Sequence, residues 1–150
     1  MILRVKRVRD TAKLPSRANP SDAGADVFYC PDEPTVQRIK PNQSKVLQTG
    51  LKFEVPHGYM LEVKNRSSMA AKNSLIVGAC VVDSGYNGEV FIDLHNVGDA
   101  ERVIYPGDKI AQVVLIPVVP FRVQMVEHDL YLDPITISDR GDGALGSTGG

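Results

Sequence analysis

Val81-Val82-Asp83-Ser84-Gly85-Tyr86-Asn87-Gly88-Glu89-Val90 runs directly into Phe91-Ile92-Asp93-Leu94-His95-Asn96. The second half alternates. Val90, Ile92 and Leu94 fall on one face of an extended chain, and Phe91, Asp93 and His95 on the other. Two turn signals precede it, Asp83-Ser84-Gly85 and Asn87-Gly88, so the stretch reads as a strand, a hairpin connection and a half-buried strand. The pattern recurs along the chain. Segments 2–8, 45–55, 59–63, 75–82, 89–96, 102–105, 110–119 and 121–126 read as strands, with Pro56-His57-Gly58 and Pro106-Gly107-Asp108 among the separating turns. Val and Ile number 28 against 21 for Ala and Leu, and ten scattered prolines would break most long helices. One short helix is expected after Arg66, capped by Ser67 or Ser68. Many short strands with close turns predict an all-β sandwich or barrel.

At 150 residues the chain suits one domain. A net charge of −1 gives no basic excess to release phosphate counterions, so binding to nucleic acid is not expected. Arg4, Lys6, Arg7 and Arg9 read as a solvated strand face. Cys30 and Cys80 have no zinc-ligand partners and read as reduced, partly buried thiols. His57, His95 and His128 show no ligand spacing. Neither a signal peptide nor a membrane-length apolar run is present, so an intracellular, cytoplasmic, soluble protein is the default expectation. Five of the thirteen glycines lie in the last ten residues. That segment buries too little to hold itself in place, and reads as a mobile tail or a flap that orders on a ligand.

Singly, the polar clusters have ordinary explanations. Ala23-Gly24-Ala25-Asp26 is a small-residue turn ending in a carboxylate. Arg66-Ser67-Ser68 joins a fixed cation to two hydroxyls, which suits an anion, although a helix cap beside a surface Arg is the commoner use. Asp83 suits a turn by geometry alone. Arg140-Gly141-Asp142-Gly143 and Gly146-Ser147-Thr148-Gly149 offer backbone amides to a phosphate, and equally fit a disordered end.

In combination they say more. Ala23–Val27, Arg66–Ala70, Val81–Val90 closing at Asn96, Gly107–Gln112 and Arg140–Gly149 resemble, in order and spacing, the five motifs of the trimeric dUTPases. The third and fifth are the specific ones, and the resemblance spans residues 23–149. It implies a distorted jelly-roll β-barrel over residues 1–138, assembled as a homotrimer, with tail 139–150 closing over an active site shared between subunits. It implies hydrolysis of dUTP to dUMP and pyrophosphate, in nucleotide pool sanitation and dUMP supply. Asp83 would hold and polarise the water that attacks the α-phosphorus, since a carboxylate accepts its proton. Asp83 would also hold the sugar 3′-hydroxyl, and Tyr86 would pack on the deoxyribose and exclude a 2′-hydroxyl. Arg66, Ser67, Ser68 and Gln112 would bind the phosphates, joined from the tail by Arg140, Gly146, Ser147 and Thr148. Mg²⁺ would be held mainly by the triphosphate and reach Asp26 through water.

The sequence departs from the family at several places, and two of the departures, Val77 and Cys80, fall where the third motif lines the base pocket. Val82 beside them is expected to contact the substrate. Val77 stands where some members offer an Asn amide, and Cys80 where Gly is usual. Leu145 replaces the tail's stacking ring, Ala25 a bulky residue, Asn65 a Gly and Lys109 an Arg. Either the backbone alone reads uracil, or the base preference has shifted to dCTP or relaxed. Related dCTP deaminases carry a catalytic Glu ten residues after the third-motif aspartate, where Asp93 stands here. An exposed strand carboxylate, paired with a cation, is the preferred reading of Asp93. A non-catalytic nucleotide-sensing regulator is a further alternative, opposed by Asp83, Tyr86 and the complete tail.

Overall fold

The computed structural model describes residues 1–133, 137–146 and 149. Met1–Pro120 and Phe121–Gly150 form two compact units. Every named strand and helix belongs to the first: β1 (Arg4–Arg7), β2 (Ala25–Phe28), β3 (Gln37–Ile39), β4 (Ser44–Gln48), β5 (Leu51–Glu54), β6 (Tyr59–Lys64), α1 (Ser67–Asn73), β7 (Leu75–Val77), β8 (Val81–Asp83), β9 (Phe91–Asn96), β10 (Arg102–Ile104) and β11 (Lys109–Pro117). The strands form four ladders, β1-β5, β10-β3, β2-β11-β6-β8 and β4-β9-β7. All pairings are antiparallel, and most neighbours are distant in sequence. This is the crossing arrangement of a distorted jelly roll.

The alternation in β9 determines its packing. Ile92 and Leu94 are buried, Phe91 is exposed, and Asp93 and His95 are half-buried. The core gathers Val27, Tyr29, Ile39, Leu47, Leu51, Leu61, Leu75, Ile92, Leu94 and Ile110, all fully buried. Asn96 is also buried, and its amide donates to the carbonyls of Ile39 and Ala100.

Several expectations change. The strand expected over 45–55 is two, broken at Thr49-Gly50, where Gly50 has φ 70° and a Cβ would lie 2.7 Å from Ala12 Cβ. Only glycine takes that backbone without strain, and the corner passes the chain from the β9 ladder to the β1 ladder. The strand expected over 75–82 is likewise split into β7 and β8. Strands β2 and β3 were not foreseen, because each is too short to show a period. Segment 121–126 has strand alternation but no ladder, although Phe121, Val123 and Met125 are each more than 80% exposed. A strand needs a partner to form, and none is paired to it among the described residues. The helix begins with Arg66 as N-cap and no side-chain cap hydrogen bond, so Ser67 and Ser68 lie inside it instead of capping it. Among the described residues, no helix is long and apolar enough to cross a membrane.

Candidate functional site

Asp26 centres the first cluster. It sits on β2 opposite Gln112 of β11, which in turn faces Lys64 at the end of β6. Arg66 Nε donates to Asp26 Oδ1 at 2.9 Å, and Lys109 Nζ lies 3.3 Å from Oδ2. Arg66 also donates to Ser68 Oγ at 3.4 Å, and Gln112 Nε2 donates to the Asn65 carbonyl at 2.9 Å. Lys109 was not foreseen in this role. Three residues from Gln112, it would point to the opposite face of a regular strand. The register shift between Lys109 and Ala111 brings it opposite Phe28, onto the face of Asp26 and Gln112. A bulge carries no signal in a single sequence, so this placement needed the register. Gly24 completes the wall, since a Cβ there would lie 2.4 Å from Gln112 Oε1. The cluster thus sets two cations and an amide around one half-buried carboxylate, a suitable surface for a polyphosphate with a divalent cation.

Asp83 centres the second cluster. It ends β8 opposite Met60, exposed to solvent. Tyr86 N–H donates to the Asp83 carbonyl at 3.2 Å, closing the turn, and the Tyr86 hydroxyl donates to the Glu89 carbonyl at 2.8 Å. The ring lies against Gly88, where a Cβ would meet Tyr86 Oη at 2.4 Å. Val81, Val82, Asp83, Tyr86, Glu89, Val90 and Phe91 line a cleft of about 270 Å³. Val82 contributes mainly to the core, at 8% exposure. Arg9 is not part of a solvated strand face. Its guanidinium forms a shielded ion pair with Glu89, with side-chain exposures of 17% and 11%. The hydrogen bond to Glu89 holds the Arg9 pKa above its ordinary value, so Arg9 stays charged at any working pH.

Between β7 and β8, residues 78–80 are tied on several sides. Asn65 Oδ1 accepts from Val77 N–H at 2.7 Å, the Asp93 carbonyl from Gly78 N–H at 2.8 Å, and the Cys80 carbonyl from Val63 N–H at 2.7 Å. Asn65, noted only as a departure, therefore braces both Val77 and Gln112. Asp93 Oδ2 lies 2.9 Å from His95 Nε2, so the strand carboxylate is half-buried and partnered by a neighbour on its own face. Cys30 is buried and Cys80 exposed, both as free thiols.

The two clusters lie at opposite ends of β6, opposite Met60 and beside Lys64. Four residues of strand separate those levels by ~13 Å. In the second unit, Arg140 Nε donates to the Gly143 carbonyl at 2.8 Å, so this loop engages its own arginine. Leu145, at φ 50°, is fully exposed, and Gly146 has φ 88°. Ser147 and Thr148 lie outside the described residues. Among the described residues, no three His, Cys, Asp or Glu side chains group as metal ligands.

Known proteins share both sequence and fold with this chain. A deoxyuridine 5′-triphosphate nucleotidohydrolase of Syntrophotalea carbinolica is 36% identical over 149 residues, covering 98% of this chain and 96% of the relative. A mutant of the Staphylococcus bacteriophage 80alpha dUTPase, with dUpNHpp, superposes with a TM-score of 0.85 at 24% identity, covering 99% of both chains. A dUTPase variant from phage phi11 of S. aureus, described with a structural Mg(II) ion, gives 0.76 at 24% identity, covering 87% of this chain and 99% of that one. At these identities the two phage structures speak to the fold. The family model for dUTPase matches residues 10–149, which contain Asp26, Arg66, Asp83, Tyr86, Gln112 and Arg140. With that match and the near full-length relative, the chain belongs to the dUTPase family.

Proposed function

We propose that this chain hydrolyses dUTP to dUMP and pyrophosphate, in a homotrimer whose sites each draw residues from more than one subunit. The reaction follows from family membership and the nucleotidohydrolase relatives. The observation that carries the shared site is the placing of two half-sites at opposite ends of β6. Asp26, Arg66, Lys109 and Gln112 form a phosphate-binding half. Asp83 and Tyr86 form a sugar and water half, and a second copy supplies what the first lacks.

In this reading Asp83 accepts the proton of the water as it attacks the α-phosphorus. Its exposure leaves room for water and a sugar hydroxyl. Tyr86, with its hydroxyl tied to the Glu89 carbonyl, offers a fixed ring to the deoxyribose. Arg66 and Gln112 hold the phosphates, with Ser67 and Ser68 beside them and Arg140, Gly146, Ser147 and Thr148 contributed by the tail. The donor set fits Mg²⁺ carried by the substrate. Asp26 is the carboxylate on the phosphate side, and this ion favours one or two carboxylates plus substrate phosphates. When bound, Mg²⁺ would offset charge on the phosphates and the leaving pyrophosphate. Val77 and Cys80 flank a loop whose backbone is fixed from three sides, which supports reading of the base edge by main chain.

The test is incubation of purified protein with each dNTP and with UTP in the presence of Mg²⁺, assaying pyrophosphate, inorganic phosphate and ammonia. Pyrophosphate from dUTP, little from UTP and no ammonia is the expected result. Faster release from dCTP would move the base preference. Ammonia release would make the chain a deaminase, and inorganic phosphate would exclude the reaction.

A further inference from the structure

Glu89 borders the Asp83 and Tyr86 cleft, and its pair with Arg9 is the most enclosed ion pair of the described residues. Arg9 Nη2 donates to Glu89 Oε1 at 2.7 Å and Nη1 to Oε2 at 3.1 Å, a two-pronged contact. Arg9 Nη1 also donates to the Cys30 carbonyl at 2.8 Å, and Gly50 N–H donates to Glu89 Oε2 at 3.0 Å. The carboxylate is thus fixed from two separate segments. A Cβ at Gly50 would lie 2.8 Å from Arg9 Nη1, so the corner leaves space for the guanidinium and nothing more. On its backbone side, Glu89 accepts the Tyr86 hydroxyl at 2.8 Å. Gly88, between them, lies under the ring.

We infer that Arg9 and Glu89 form a positioning pair that sets the Tyr86 ring against the sugar, and so governs discrimination between deoxyribose and ribose. The physical route is short. The hairpin from Asp83 to Gly88 is exposed, contains two glycines, and has little packing of its own. A two-pronged guanidinium–carboxylate contact has a defined plane. It fixes the residue that follows the hairpin, and the hydroxyl of Tyr86 is bonded to that same residue's carbonyl. Loosening the pair leaves the Glu89 carbonyl held only through its own peptide, whose Val90 N–H donates to the Leu51 carbonyl at 2.8 Å, and the ring gains freedom with it. Catalysis needs Asp83 at the other end of the turn, whereas ribose exclusion needs the ring itself, so the two properties separate. The inference rests on the proposed sugar-side role of Tyr86.

Four variants test it through the ratio of kcat/KM for dUTP to that for UTP, which does not depend on the fraction of protein folded. Glu89→Gln keeps shape and removes charge. Tyr86→Phe removes only the hydroxyl bond. Each should lower the ratio roughly 3–10-fold, the scale of one lost hydrogen bond. Arg9→Lys, which keeps charge without the fork, should fall between wild type and Glu89→Gln. Tyr86→Ala removes the ring and should lower the ratio most. If Tyr86→Ala lowers the ratio and Glu89→Gln and Tyr86→Phe leave it at the wild-type value, the positioning role is wrong. If Tyr86→Ala itself leaves the ratio unchanged, the sugar role of Tyr86 fails and the inference falls with it. Should Glu89→Gln not fold, Arg9→Lys decides, because it perturbs the pair and keeps its charge; a wild-type ratio in that variant overturns the positioning role.

Discussion

Asp83 illustrates how a residue's place in the fold can be readable from its neighbours in sequence. Its place after two valines and before a glycine turn marks it as the end of a strand, and β8 ends there. Because it is exposed, substitution there should alter folding by no more than about 0.5 kcal/mol. Asp83→Asn is therefore expected to keep its unfolding midpoint while losing ~10²–10⁴ in kcat, since an amide cannot accept the proton of water. Turnover near that of the wild type would reduce Asp83 to a turn residue. Other residues were harder to read. Arg9 looked like one of four cations on a solvated face, because its partner is eighty positions away and no local pattern links them. Lys109 looked like a plain replacement for Arg, because only the bulge beside it turns it toward Asp26. Local spacing identifies residue types; long-range register decides which of them meet.

At the scale of elements, periodicity was legible where a strand is long enough to alternate. β9 has six residues and one clean period, whereas β2 has four and β3 three. The corner at Gly50 and the break at Gly78 were invisible for a different reason. Both lie within runs of strand-forming residues, and each glycine is required by what lies opposite it. At Gly78 a Cβ would meet His95 Nε2 at 2.3 Å and Asp93 Oδ2 at 2.6 Å. The alternation in β9 gives a quantitative expectation. Ile92 is fully buried and its neighbour Phe91 is 45% exposed. Ile92→Ala should cost about 2–5 kcal/mol in urea unfolding through lost packing and a cavity. Phe91→Ser, on the opposite face, should cost distinctly less. Equal costs would mean that the strand is not sided as its sequence implies.

At the scale of the whole molecule, the question is how the two proposed half-sites, separated along β6, would act together. In the β2-β11-β6-β8 ladder, Asp83 on β8 faces one end of β6 and the Asp26 cluster lies beside the other, at levels ~13 Å apart by strand rise. Closed rotational symmetry offers a solution, since one chain's Asp83 can face the next chain's phosphate half. The tail, 139–150, enters the same argument. Among its described residues, Gly141 and Gly146 both have positive φ and Leu145 is fully exposed, so glycine freedom rather than packing marks this stretch. Its proposed work is on the triphosphate of another subunit. A mixing experiment joins both ideas. A chain ending at Ser138 should fold and assemble but lose ~10²–10³ in turnover, comparable to removing preorganised phosphate donors. Asp83→Asn should be inactive for its own reason. Unfolded together and refolded as mixed trimers, the two should regain activity that neither has alone. With Asp83 and the tail of each site drawn from different chains, random assortment brings both intact in about a quarter of sites. If Asp83 and the tail of one site came from the same chain, every mixed site would still lack one of them, and the mixture would stay inactive. Recovery, read as pyrophosphate release against the unmixed controls, therefore separates a shared site from a self-contained one. A truncated chain that fails to fold would instead make the tail structural.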